Sequence, residues 1–171
     1  MGRYYAMFSM QKITPFLWFD MNAEEAMNYY VSVFKENAKI VTVKYYPEGM
    51  EEEHMKGMEG KVLTGVFELF GQQFMCLDGG PVFKLNESVS FLVECKDQAE
   101  IDYYWEKLSA VPESEQCGWC KDKFGLSWQI VPDMTRYFNE TDPVKSKRAM
   151  EAMLKMKKMD MAALEAAYEG Q

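Results

Sequence analysis

Apolar and polar positions along this chain alternate with two different periods, and the switches between them mark its elements. Lys12–Phe19 (KITPFLWF) is rich in β-branched and aromatic residues and reads as a strand. Asp20-Met21-Asn22 is turn chemistry, with Asn22 placed to cap a helix whose first turn holds Glu24 and Glu25. Ala26, Tyr29, Tyr30 and Val33 keep a helical spacing that ends near Lys35, and Ala38–Tyr46 alternates again as a strand. Pro47–Gly60 is a polar loop. Lys61–Phe70 and Gln73–Asp78 then predict a hairpin joined at Gly71-Gln72.

Gly79-Gly80-Pro81 is the clearest break, and the pattern restarts after it. Ser88–Cys95 reads as a strand, and Asp97 caps a helix running to about Ser109. Strands near Glu115–Cys120 and at Ser127–Val131 form a second hairpin, turning at Lys123–Gly125. The restart is a repeat. Asn28-Tyr29-Tyr30 matches Asp102-Tyr103-Tyr104, and Phe70-Gly71 with Phe74 matches Phe124-Gly125 with Trp128. The expected architecture is α+β: two tandem βαβββ units, residues 11–80 and 87–133, side by side as one curved sheet. The concave face of such a sheet is a natural ligand cleft. Residues 134–171 read as a helical tail. Asp142-Pro143 starts one helix with an apolar stripe of Met150, Met153 and Leu154, and Asp160 caps a last helix carrying Leu164. The stripe reads as core or as a subunit contact.

Composition narrows the function classes. Of 171 residues, 27 are Asp or Glu and 19 are Lys or Arg, a net charge of −8 opposite in sign to what a phosphate backbone recruits. Nucleic acid is therefore not an expected partner. Nor is a membrane, since no apolar run approaches the roughly 20 residues of a bilayer-spanning helix. Met1–Met10 has no apolar signal core and reads as a leader. Gly2 lacks the Ser or Thr of a myristoylation motif, because Ala6 stands at that place. Four cysteines without a secretion signal point to reduced thiols in a cytoplasm.

The paired units with their Phe-Gly hairpins resemble the vicinal oxygen chelate superfamily of glyoxalase, bleomycin-resistance and extradiol-dioxygenase proteins. The chain is most similar to its PhnB-like branch, which bears the label 3-demethylubiquinone-9 3-methyltransferase domain. The similarity lies in Ile13-Thr14-Pro15-Phe16-Leu17-Trp18-Phe19-Asp20 and in Phe74-Met75 with Asp78-Gly79-Gly80-Pro81. It continues in Tyr103-Tyr104-Trp105-Glu106-Lys107-Leu108, in Cys117-Gly118-Trp119 through Pro132, and in Met153–Lys158. The resemblance implies the fold and a homodimer. In metal-dependent members, four side chains in the cleft hold a divalent ion, and that pattern falls here on Thr14, Met75, Ser88 and Gln129. Only Gln129 is a competent donor there, so neither metal nor another cofactor is expected.

The remaining chemistry is thin. His54, the single histidine, lies in the acidic loop beside Glu51, Glu52 and Glu53 and reads as a solvated residue, which leaves no Ser/His/Asp set. Cys117-Gly118-Trp119-Cys120 precedes a hairpin turn rather than a helix, and an extended strand would point its two sulfurs to opposite faces. No Gly-rich dinucleotide fingerprint supports a Rossmann methyltransferase. Asp20, Asp78, Glu94, Lys121 and Asp122 all fall at strand ends or turns. By alternation, Thr14, Phe16 and Trp18 share one face, as do Gln73, Met75 and Leu77. Ser88, Ser90 and Leu92 form a third set, and Ser127, Gln129 and Val131 a fourth. The expected function is binding of a small apolar or aromatic molecule, with Thr14, Phe16, Trp18, Met75, Ser88, Ser90, Trp119 and Gln129 as cleft residues. The alternatives are a metal-dependent lyase, isomerase or dioxygenase built around Gln129, and, more remotely, a methyltransferase.

Overall fold

The computed structural model describes residues 11–50, 52–53, 56–138 and 141–171. The expectations for the leader and for His54 lie outside the described residues. The chain divides into two compact units, residues 1–84 and 85–171.

The first unit runs β1 (Phe16–Phe19), α1 (Ala23–Phe34), β2 (Ala38–Tyr45), β3 (Val62–Leu69) and β4 (Gln72–Asp78). Its sheet has the order β1-β4-β3-β2, with β1 parallel to β4 and the other pairs antiparallel. The ladder of β1 starts at Phe16 and not at Lys12, because Pro15 has no N–H to donate. Its carbonyl still accepts from Met75 N at 2.9 Å. The Gln11 side chain replaces the missing backbone pair, donating to Gln73 O and accepting from Gln73 N, both at 2.9 Å. The β3–β4 turn is Phe70-Gly71, one residue earlier than the sequence pattern predicts. Leu69 pairs with Gln72, and both turn residues take positive φ, 48° and 78°. That is the primed geometry that matches strand twist, with glycine accepting it at no steric cost.

Helix α1 packs on β2, β3 and β4. Its buried stripe of Ala23, Ala26, Met27, Tyr30, Val33 and Phe34 meets Leu17, Phe19, Phe67, Leu69, Phe74 and Cys76. The Phe67 ring stacks on Phe74 at 5.3 Å and on Tyr30 at 5.9 Å. Gly65 is bare because Met27 fills its place: a Cβ there would lie 2.6 Å from the Met27 sulfur.

The second unit runs β5 (Ser90–Cys95), α2 (Gln98–Leu108), β6 (Trp119–Lys121), β7 (Ser127–Pro132), α3 (Pro143–Met153) and α4 (Met161–Glu169). Its sheet has the order β5-β7-β6, with β5 parallel to β7. Each unit therefore pairs its first strand in parallel with its last, which gives the repeat a structural meaning. Tyr30 and Tyr104 are both buried, as are Phe74 and Trp128. Hydrogen bonding divides the strands into two sheets, one per unit, instead of one continuous sheet. The second sheet has three strands. Where the sequence suggests a strand from Glu115 to Cys120, a 3-10 turn at Pro112–Ser114 precedes a tight turn at Cys117-Gly118, with φ of 51° and 83°. That turn is anchored from two sides. Ile130 N donates to Gly118 O, while Cys117 N and Gly118 N donate to Met156 O and Lys157 O.

Asp142 and Asp160 cap their helices as predicted, accepting from Lys145 N and Ala163 N. The methionine stripe is different. Met150 and Leu154 are exposed, and α3 buries Ala149 instead. The small residue lets α3 approach α4, and Arg148 reaches the end of α4, donating to Ala167 O at 3.1 Å and Tyr168 O at 2.8 Å. The tail docks on its own unit through Met159, which is fully buried, and through Gln98, which donates to Met159 O and accepts from Met161 N. No helix among the described residues is long and apolar enough to cross a membrane.

Candidate functional site

In each sheet the strand alternation decides which side chains stand on the face packed against the helix and which on the opposite face. In the first unit, Leu17 and Phe19 point to α1, so Phe16 and Trp18 point away from it. The parallel register sets Phe16 beside Met75 and Trp18 beside Leu77. Phe16 is 50% exposed, and it is not a core residue. Thr14, half-buried, precedes the strand.

Trp18 is held on three sides. Its Nε1 donates to Gly80 O at 2.8 Å, Phe83 meets its ring edge-on at 4.9 Å, and Gly79 lies flat beneath the indole. A Cβ on Gly79 would come within 2.1 Å of the ring. Asp78-Gly79-Gly80 thus acts as one device: an anchor, a flat seat and an acceptor for a half-buried aromatic. Gly79→Ala, whose backbone conformation suits alanine, should push the indole off its seat. We expect a loss of about 2 kcal/mol, together with loss of the distinct Trp18 indole N–H signal in a ¹⁵N–¹H spectrum. An unshifted signal would refute this role of Gly79.

The two buried carboxylates near these strands are structural. Asp78, 2% exposed, accepts from Ala23 N at 2.8 Å and from Val62 N at 2.9 Å, and its own carbonyl accepts from the Tyr46 hydroxyl. Helix α1 is therefore capped across the fold by Asp78; Asn22, at the N-cap position, makes no side-chain cap. Asp122, 1% exposed, accepts from Phe124 N, Leu126 N and Trp128 Nε1. Both carboxylates have their oxygens committed to N–H donors, so neither is placed to act as a general acid or base.

In the second unit, Trp128 and Ile130 point to α2, leaving Ser127, Gln129 and Val131 on the other face. The register adds Ser90, Leu92 and Glu94 from β5, and Trp119 and Lys121 from β6. Gln129 Nε2 donates to Ser90 Oγ at 2.9 Å. Leu92 is 56% exposed, so it too stands outside the core. Ser88 lies ahead of β5, where Asn86 Oδ1 accepts from its backbone N–H. The structure sets Phe16, Trp18, Met75, Ser90, Trp119 and Gln129 on the faces opposite the helices, and Ser88 in a loop turn ahead of β5.

The donor set does not fit a divalent ion. Thr14 and Met75 offer a hydroxyl and a thioether and Ser88 belongs to a loop turn, which leaves the Gln129 amide oxygen as the one competent donor of the four. Among the described residues, no group of three or more His, Cys, Asp and Glu is placed to hold a metal. The cysteines are free. Cys76, Cys95 and Cys120 are buried, and burial, reinforced by neighbouring carboxylates, pushes each thiol up to about 12. Cys117 and Cys120 do not form an extended pair, because Cys117 sits in the tight turn.

No curated protein matches the chain. Among solved structures, it is similar to a PhnB protein from Bacillus cereus, with 38% identity over 71% of this chain and 99% of that one and a TM-score of 0.58. It also resembles protein PA1353 from Pseudomonas aeruginosa in fold, at 17% identity over 71% of this chain and 98% of the other, with a TM-score of 0.54. A model of the family described as 3-demethylubiquinone-9 3-methyltransferase matches residues 11–131, ending just short of the helical tail. With a family model matched over most of its length and a 38%-identical PhnB protein of the same fold, the chain belongs to that family, in its PhnB-like branch.

Proposed function

We propose that this protein binds a small apolar or aromatic molecule on the sheet faces opposite the helices. One observation carries the reading. Trp18 is a large aromatic fixed by a hydrogen bond, an edge-on ring and a glycine seat, yet it remains half-buried beside Phe16, Met75 and Leu77. Fixing an indole without covering it costs stability that full burial would supply, and such preorganisation serves a ligand. The face of the second unit is similar in kind, with Trp119 and Leu92 beside the Ser90–Gln129 pair. Its few polar groups suit orientation of a ligand and not bond-making.

Titration with naphthalene, followed by its own fluorescence, tests the reading. Wild-type protein should bind saturably, and Trp18→Ala should weaken binding about tenfold, the value of one aromatic contact. Equal affinity in wild type and in the double variant Trp18→Ala/Trp119→Ala would overturn it.

A further inference from the structure

The turn between β3 and β4 carries a residue that neither its backbone nor its burial favours. Phe70 is the first of the two turn residues and takes a φ of 48°, in the left-handed region that a bulky side chain disfavours. Its ring is also 59% exposed, with a single perpendicular contact to the buried Phe34, centroids 5.9 Å apart. The repeat does not demand this. Phe124, the matching residue of the second unit, lies outside the left-handed region and is half-buried. Asn-Gly would suit a turn with two positive φ angles better than Phe-Gly. Strain and exposure at one aromatic residue mark a position kept for use.

Phe70 lines a cleft of about 400 Å³, together with Glu36, Asn37, Lys39, Glu68 and Gly71. All belong to the first unit, at the start of β2 and the end of β3. The backbone fixes this corner, since Phe70 N donates to Asn37 O at 2.7 Å. Lys39 pairs with Glu68 across the register at 3.2 Å. Glu36 and Asn37 are exposed, and among the described residues neither side chain has a hydrogen-bond or ion-pair partner. The turn joins Leu69 to Gln72, whereas Trp18 stands beside Leu77 at the other end of β4. Five residues of strand span roughly 17 Å. The cleft is therefore a second site, independent of the Trp18 face.

The geometry points to a site for the ring of a neutral sugar, with its apolar C–H face on Phe70 and its hydroxyls on Glu36, Asn37, Lys39 and Glu68. The carboxylates accept, the ammonium donates and the amide does both. A sugar hydroxyl also does both, so neighbouring hydroxyls on one ring can serve all four side chains. The C–H face gives an exposed aromatic ring the apolar surface that it lacks inside the protein. An anion would meet two carboxylates against one ammonium. A simple ammonium ion would suit the carboxylates but would have Lys39 as a like-charge neighbour.

Titrations of the full chain at pH 7, read in ¹⁵N–¹H spectra, test the site with methyl β-D-glucoside, glucuronate and cyclohexylammonium. The glucoside should shift the Gly71 N–H and the Asn37 side-chain amide signals saturably, with a half-point on the order of 1 mM. Both other probes should bind more weakly. Phe70→Asn should weaken glucoside binding about tenfold or more and raise the melting temperature, because it installs the favoured turn pair. Glu36→Ala/Asn37→Ala, confined to exposed side chains, should weaken binding about tenfold at an unchanged melting temperature. Absence of a saturable shift in wild type would overturn the site. So would tighter binding of cyclohexylammonium, which would make it an ammonium site only. Glucoside affinity that survives in Phe70→Asn while the variant melts earlier would show that the ring serves only packing on Phe34, and the proposal falls.

Discussion

Between pH 9 and 12 the protein should lose stability by about 3 kcal/mol per pH unit, from the thiols of Cys76 and Cys120 alone. Both are buried, and burial pushes each up to about 12 from an ordinary value of 9.0. The nearby carboxylates act in the same direction: Asp78 on Cys76, and Asp122 and Glu115 on Cys120. Below pH 9 both the folded and the unfolded chain keep these protons, so the thiols create no slope. Above it the unfolded chain releases them and the folded chain does not. Unfolding is then drawn forward by proton release, until the folded thiols ionise near pH 12 and the slope vanishes. Cys95, pushed up to about 12 by burial and by Glu100, Asp97 and Glu94, adds to the same fall. Two thiols over three pH units amount to about 8 kcal/mol, comparable with the whole stability of a typical domain. Urea titrations at half-unit steps of pH measure the slope. The Cys76→Ala/Cys120→Ala variant should start less stable at pH 7, through lost packing, but lose stability less steeply above pH 9. Identical slopes in the two proteins would mean that these thiols do not ionise on unfolding.

Asp78→Ala should cost about 4 kcal/mol, among the largest effects of any single substitution in the first unit. The carboxylate accepts from Ala23 N, at the first turn of α1, and from Val62 N, at the first residue of β3. Both residues are buried, so removal of the acceptor strands two N–H groups away from water. It also takes a negative charge from the N-terminus of α1, where the dipole favours one. Asp78→Asn should recover only part of the loss, since an amide offers one acceptor oxygen and turns an N–H₂ toward the second donor. Asp20→Ala is the control. Its carboxylate is exposed at the end of β1, and stability should change by less than about 0.5 kcal/mol. Chemical denaturation of the three variants decides the matter. Equal stability of Asp78→Ala and wild type would sink the capping role.

Much of this architecture is readable from residue order. The two helical spacings, the alternating runs and the break at Gly79-Gly80-Pro81 are local signals, and local signals suffice for element type. The repeated Tyr-Tyr and Phe-Gly motifs suffice for duplication, because the same packing needs recur in each unit. Boundaries are harder. Pro15 shortens β1, and the turn at Cys117-Gly118 shortens β6, because whether a residue joins a ladder depends on a partner distant in the chain. The Phe70-Gly71 turn shifts by one residue for the same reason: register is settled by β3 against β4.

Residue order alone is enough for the secondary elements, the duplication and the family resemblance. All follow from residue type and spacing within a few turns. The service each residue performs emerges only in the folded chain. Asn22 has the chemistry of a cap, yet Asp78 performs the task from 55 residues away. Phe16 and Leu92 are apolar strand residues that stand in the open, whereas Asp122 falls at a turn and is buried beneath its hairpin. Met150 and Leu154 have the spacing of a buried stripe, but the small Ala149 is what α3 buries. Burial and hydrogen-bond partnership are properties of pairs, and a pair's members meet only when the chain has folded.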